Sequence, residues 1–330
     1  MHSLITLGAI ETARARIAPH VVHTPLVSLG PGDIVLKAEN LQPSGAFKLR
    51  GAFNALLSLD EKARARGVVA HSSGNHAIAV AFAARRLGVS ATIVMPENAP
   101  RVKLELVKSL GARLEIVGVA SSERLARAAA LAEAEGLALV EPYDAAAIIE
   151  GTGTLGLELL DDWATSDPLE IYVPVSGGGL IAGVAAAVKQ RRPSVRVIGV
   201  EPELAADAGE SFRAGERVTW PADQVSQTIA DGLRVQRVGA LPWAHMQAYV
   251  DDMVAVSEAE ILGTVRDIAS HARLVAEPSG AVAVAAARVG RGGADVSATR
   301  RVAIVSGGNV DPGLLARVFG AAVDATVGGR

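Results

Sequence analysis

The chain has no cysteine among its 330 residues, which removes disulfides, thiolate nucleophiles and cysteine-type zinc sites together. It has no basic excess either: 32 Lys and Arg against 35 Asp and Glu give a formal charge of −3. That balance argues against a nucleic-acid surface, which needs a net basic face. No apolar run approaches the roughly 18 residues of a membrane span. The longest, such as 180–188, are short and end at charges, so no membrane partner is expected. The N-terminus carries Glu11, Arg14 and Arg16 without a long apolar stretch and does not read as a signal peptide. A cytoplasmic location is the expectation. Aromatic residues are only 3%, which leaves the apolar content largely to Ala, Val, Leu and Ile.

What is present is ample core material. Hydrophobic residues make up 50% of the chain and charged residues 20%, so a large buried core is available and disorder is not expected. The length suits two domains or one large α/β unit. Short aliphatic or β-branched runs at 34–38, 68–70, 91–95, 113–117, 138–140, 171–175, 196–200 and 302–305 read as strands. Stretches of helical period lie between them, such as 51–59, 76–87, 101–110, 122–135, 180–190 and 258–271. This alternation predicts an α/β fold with parallel-rich sheets and helices on both faces. Residues 67–144 read as a smaller unit of four strands and three helices. It would be inserted in a larger domain formed by 1–66 and 145–330.

Three glycine-rich segments invite a phosphate or dinucleotide reading. Gly151-Thr152-Gly153-Thr154-Leu155-Gly156 matches G-x-G-x-x-G, but its setting is wrong for a dinucleotide site. The seven residues before it do not form a convincing strand, and about 20 residues on stands Ile171, opening a strand, instead of an acid. Ser176-Gly177-Gly178-Gly179-Leu180 is better placed, after a strand and before a helix. Backbone N–H groups converging at a helix N-terminus make a phosphate cradle; the plainer alternative is a tight strand-to-helix turn. Ser306-Gly307-Gly308-Asn309 closes another strand in the same way, as does Ser72-Ser73-Gly74-Asn75-His76. Ligands in parallel sheets sit beyond the carboxyl ends of strands, so these turns can share one crevice.

Two clusters of charge stand out. Lys48, in Ser44-Gly45-Ala46-Phe47-Lys48-Leu49-Arg50-Gly51-Ala52, sits among small and apolar residues at a helix start. Such a setting disfavours the ammonium form and suits Schiff-base chemistry; a solvated first-turn lysine is the alternative. After the strand 196–200, Glu201 and Asp207 offer hard carboxylate oxygens, and the turn between them offers the Ala205 carbonyl. Three oxygens plus waters suit Mg²⁺ or Ca²⁺, although two acids at a strand end are often simply solvated.

The Gln42–Ala52 segment with its central Lys48, the Ser72–His76 turn, the Ser176–Leu180 loop and the Ser306–Asn309 turn occur in the order and spacing of a known family. In these motifs the chain resembles the threonine/serine dehydratases and serine racemases, pyridoxal-phosphate enzymes of fold type II with the tryptophan synthase β-like fold. The likeness spans roughly residues 23 to 312. The resemblance is to the short form, and no regulatory domain of the isoleucine-sensitive kind is expected.

The resemblance implies a set of roles. Lys48 would carry pyridoxal 5′-phosphate as a Schiff base and take the substrate Cα proton. Ser176, Gly177, Gly178, Gly179 and Leu180 would bind the cofactor phosphate, Asn75 the ring hydroxyl oxygen and Ser306 the pyridine nitrogen. Phe47 and Gly232 would line the cofactor. Ser72, Ser73, Gly74, Asn75 and His76 would hold the substrate carboxylate, with Ser73 as the opposite-face acid/base of the racemases. Glu201, Ala205 and Asp207 match the E-P-x-x-A-x-D spacing of the metal site in Mg²⁺-stimulated serine racemases, with a structural role.

The chain departs from the common pattern at Ala46, where many members have serine, at Ser176, which replaces a glycine, and at Ala77. Glu150 and Thr152 likewise replace the usual Ala and Gln. These positions bear on which substrate is used. The implied activity is dehydration of L-threonine or L-serine by a homodimeric enzyme acting on a small amino acid. The alternatives are an amino-acid racemase, a 3-hydroxyaspartate dehydratase and a non-catalytic cofactor-binding protein. Arg124 falls where racemase relatives carry a substrate-linked arginine, but with Arg127 it reads most simply as a solvated helix face.

Overall fold

The computed structural model describes residues 3–30, 34–163, 167–293 and 299–327, with side chains to 320. Among these residues, ten strands form two sheets: β1 Leu26–Ser28, β2 Ile34–Lys37, β3 Val68–His71, β4 Ala91–Pro96, β5 Arg113–Val117, β6 Ala138–Leu139, β7 Leu169–Pro174, β8 Arg196–Pro202, β9 Asp252–Val256 and β10 Arg300–Ile304. The larger sheet has the order β1-β2-β10-β7-β8-β9 and is parallel except for the β1–β2 pair. The smaller, β5-β4-β3-β6, is parallel throughout. Parallel strands need crossovers, and the helices that supply them cover the sheet faces. Strands β4 and β7 are accordingly buried at every position.

Strands β1 and β9 are not among the runs read from the sequence; β1 is only three residues long, and only Met253 and Val256 of β9 are buried. The stretch 258–271 is an α-helix, Glu258–Asp267, that passes into a π-helical turn, Ile268–Ala272. The G-x-G-x-x-G segment lies inside the helix Ala146–Asp162, which disposes of the dinucleotide reading. Its glycines serve close packing. A side-chain carbon at Gly151 would fall 2.7 Å from the Arg50 carbonyl oxygen, and one at Gly156 would fall 3.0 Å from that of Val184.

The helix Lys48–Ser58 joins the two sheets. Leu49, Phe53 and Leu56 recur at helical spacing and are fully buried in the core cluster beneath β3 and β4. Each contributes about 2 kcal/mol by leaving water. The other face buries charge. Arg50 grips the Glu39 carboxylate with two N–H groups at 2.8 Å, and that of Glu158 at 2.7 and 2.8 Å. Burial opposes the ionised form of Glu39, but Arg50, Thr24 and Lys37 outweigh it and hold its carboxyl below the usual range. Lys48 therefore stands on a helix whose start is locked from both sides.

Candidate active site

The first residue of this helix is Lys48, and the chain before it is zipped to the turn after β10. Phe47 N–H donates to the Ser306 carbonyl (3.0 Å), Gly308 N–H to that of Gly45 (2.8 Å) and the Asn309 amide to that of Ser44 (2.9 Å). Two segments more than 250 residues apart thus become one surface because β2 and β10 are parallel neighbours that end together.

The third segment joins through Asn75, at the start of the helix Asn75–Leu87 after β3. Its side-chain oxygen accepts from Asn309 Nδ2 at 2.9 Å, and its amide nitrogen donates to the Glu277 carboxylate. These partners fix the orientation of the amide. Within the same turn, Ser72 Oγ accepts from Gly74 N–H at 3.1 Å, while Ser73 is half-buried beside it. His76 is buried against the Val140 carbonyl, 2.9 Å from Nε2. A carbonyl only accepts, so Nε2 carries the proton. Burial and the nearby Lys48 push the His76 pKa down to about 3, so the ring is neutral.

The fourth segment, Ser176–Leu180, follows β7 and leads into the helix Gly179–Arg191. Gly178 has φ +88°, a left-handed conformation that favours glycine. A side-chain carbon at Gly177 would fall 2.4 Å from the Tyr143 ring. Thr152, from the former dinucleotide motif, donates to the Gly179 carbonyl at 2.8 Å. Ser176 Oγ is buried with no hydrogen-bond partner. A buried hydroxyl left unsatisfied beside a run of glycine N–H groups at a helix start is the donor set an anion such as phosphate needs.

Lys48 lies between these segments. Its Nζ donates to the Pro142 carbonyl at 2.6 Å and sits 5.2 Å from the centre of the Phe47 ring. Burial lowers its pKa to about 8, so the neutral amine needed for a Schiff base is accessible near physiological pH. Ser306 is buried, and its hydroxyl makes one long contact, 3.4 Å, with the Ser279 carbonyl. Ser279 Oγ in turn accepts from Gly232 N–H at 2.9 Å. The chain therefore offers an amine, a phosphate-type cradle and a lightly engaged hydroxyl, which fits pyridoxal phosphate.

Glu201 and Asp207 are both buried, at 1% and 0% exposure, rather than solvated. Glu201 accepts from Ala208 and Gly209 N–H at 3.1 and 2.7 Å, whereas neither carboxylate oxygen of Asp207 has a hydrogen-bond partner. Burial pushes Asp207 up to about 7, and burial with the neighbouring Asp207 raises Glu201. Ala205 lies between them, buried in a 3-10 turn. Among the described residues no three acids or histidines cluster as metal ligands, so a cation here would also need backbone or water oxygens. Arg124 bonds Val119 O and Ser121 Oγ at 2.8 Å, and Arg127 pairs with Glu115 at 2.9 Å.

Several groups at this meeting point carry no sequence signal strong enough to single them out: Pro142, Tyr143, Glu277, Lys103 and Asp231. Glu277 has the best clue, because it precedes Pro278 at the start of a helix. Burial pushes its pKa up to about 7. Among the described residues no helix is long and apolar enough to cross a membrane.

Comparison with known proteins accords with the geometry. The sequence model of the family described as pyridoxal-phosphate dependent enzyme matches residues 17–307. The chain is 39% identical over 326 residues to the catabolic L-threonine dehydratase TdcB of Staphylococcus aureus, covering 96% of this chain and 92% of that protein. It is 40% identical over 325 residues to the L-threonine ammonia-lyase of Thermotoga maritima, covering 96% and 78% respectively. Its structure is similar to that of maize serine racemase, with a TM-score of 0.89, 37% identity, and coverage of 98% of this chain and 99% of that one. A match of this extent, over a chain whose lysine and glycine turns meet at one place, shows that the protein belongs to the pyridoxal-phosphate dependent enzymes.

Proposed function

We propose that the chain is an ammonia-lyase that converts L-threonine to 2-oxobutanoate, or L-serine to pyruvate, with release of ammonia. The observation that carries this reading is Lys48, a buried amine with a pKa of about 8, placed where the Ser72–His76 turn and the turn after β10 meet. The named activities of the Staphylococcus and Thermotoga relatives support the same reaction.

In this reading Lys48 and the Ser176–Leu180 loop would hold the cofactor at its aldehyde and its phosphate. Asn75, Phe47, Gly232 and Ser306 would surround its ring. Pyridoxal phosphate, when bound, supplies the electron sink for the charge left at the substrate Cα. Backbone N–H groups of the Ser72–His76 turn hold the substrate carboxylate. Lys48 Nζ, once the substrate amine has taken its place, would take the Cα proton and return it to the β-hydroxyl, which leaves as water. The released enamine takes up water and yields the 2-oxo acid and ammonia. Ser306 offers a neutral hydroxyl rather than a carboxylate, so it would not hold a proton on the pyridine nitrogen of the bound cofactor.

Glu201, the Ala205 carbonyl and Asp207 hold Mg²⁺ or Ca²⁺ in this reading; the unsatisfied, buried Asp207 carboxylate supports it. The smaller sheet and its helices, 67–144, form the mobile unit against 1–66 and 145–330. The enzyme works as a cytoplasmic homodimer. A second reading, amino-acid racemisation with Lys48 and Ser73 on opposite faces, is favoured by the likeness to maize serine racemase. Purified holoenzyme given L-serine, D-serine, L-threonine and 3-hydroxyaspartate, with keto acid and chirality followed together, tests both. Keto acid from the L-hydroxyamino acids is expected, and its absence from all four overturns the lyase reading.

A further inference from the structure

Lys103 is a buried cation close behind the Ser72–His76 turn. It belongs to the helix Arg101–Ser109 of the smaller sheet's unit, and its side chain is 7% exposed. Its Nζ lies 2.7 Å from Asp231 Oδ2, and a side-chain carbon at Gly74 would fall 3.5 Å from it. Asp231 opens the 3-10 turn Asp231–Leu233 on the other side of the meeting point, and its side chain is 36% exposed. The anion is therefore the wetter member of the pair. Glu277, which holds Asn75, senses both charges. A buried ammonium needs an anion, and the turn beside it opens the helix at Asn75 with no side-chain cap, so its first N–H groups can meet a second one.

We propose that Lys103 supplies the positive charge that draws the substrate α-carboxylate to the Gly74–Asn75 turn, and that Asp231 competes with the substrate for it. The inference deepens the reading above and rests on an amino-acid substrate bound at that turn. Backbone dipoles alone select any hydrogen-bond acceptor; a full charge beside them selects a carboxylate. Asp231 keeps the ammonium paired while the site is empty and weakens its pull when substrate arrives. The alternative is a simple brace between the two sheets, in which each partner matters only to the other.

The two roles give opposite signs. In the holoenzyme, with cofactor absorbance confirming loading, Lys103→Met is expected to raise KM for L-threonine and L-serine about tenfold, the loss of one charge-assisted contact. Its kcat should change much less. Asp231→Asn is expected to lower KM several-fold, and the double variant should resemble Lys103→Met. Lys103→Arg keeps the charge and should stay near wild type; Lys103→Gln replaces Lys103→Met if the latter does not fold. A brace instead raises KM in both single variants, and that result, or an unchanged KM in Lys103→Met, overturns the proposal. Absence of wild-type turnover strikes the lyase reading, not this one. Calorimetric titration of the same holoproteins with glycine then decides: opposite affinity changes support the role of Lys103, and parallel or absent changes overturn it.

Discussion

The Lys48 amine donates to the Pro142 carbonyl at 2.6 Å, and among the described residues it forms no ion pair with a carboxylate. A carbonyl accepts from the neutral amine as well as from the ammonium, so this contact can hold the side chain in either state. Only burial then acts on its pKa, and it acts downward.

Capture of pyridoxal phosphate by the cofactor-free protein should therefore accelerate as pH rises through about 8, where Lys48 loses its proton, instead of near the ordinary lysine value of 10.5. Stopped-flow absorbance measures this. The sign follows from chemistry, since only the neutral amine attacks the aldehyde. Lys48→Ala should abolish turnover and the borohydride-reducible absorbance band; near-normal keto-acid production by that variant would remove Lys48 from its role.

Ser73→Ala separates the two readings of the activity. Racemisation and elimination from D-serine should be lost, while elimination from the L-substrate survives at least in part, because Lys48 serves that face. Equal loss of both, measured on enantiomerically pure serine, shows that Ser73 mainly holds the substrate.

Exhaustive chelation should lower both activity and melting temperature, and Mg²⁺ or Ca²⁺ should restore them, because Glu201 and Asp207 otherwise remain as two buried acids side by side. Asp207→Asn should make the protein indifferent to either treatment. Unchanged melting after chelation, with no metal by elemental analysis, removes the site.

Arg50→Leu leaves the buried carboxylates of Glu39 and Glu158 without their shared cation. Loss of one partner from such a network costs about 3–5 kcal/mol. Urea unfolding of the cofactor-free variant should show it, with a smaller loss when Glu39→Gln is added. If Arg50→Leu unfolds like wild type, the network contributes nothing to the fold.

The alternation of aliphatic runs and helical stretches made the α/β class and eight of the ten strands legible, because a buried parallel strand must be apolar on both faces. The glycine turns and Lys48 were legible for a related reason. A backbone that turns with positive φ or packs closely tolerates few residue types, and a lysine set among apolar neighbours is conspicuous. Strands β1 and β9, half-exposed or very short, left no such trace. Neither did the partners of the site. That Glu277 orients Asn75, that Pro142 receives Lys48 and that Lys103 meets Asp231 join residues between 94 and 202 positions apart. The amino-acid order determined which elements form and where each turns. Which turns meet was decided only when β2 and β10 ended side by side and the smaller sheet closed over the helix of Lys48, because hydrogen bonds between strand ends carry no local pattern along the chain.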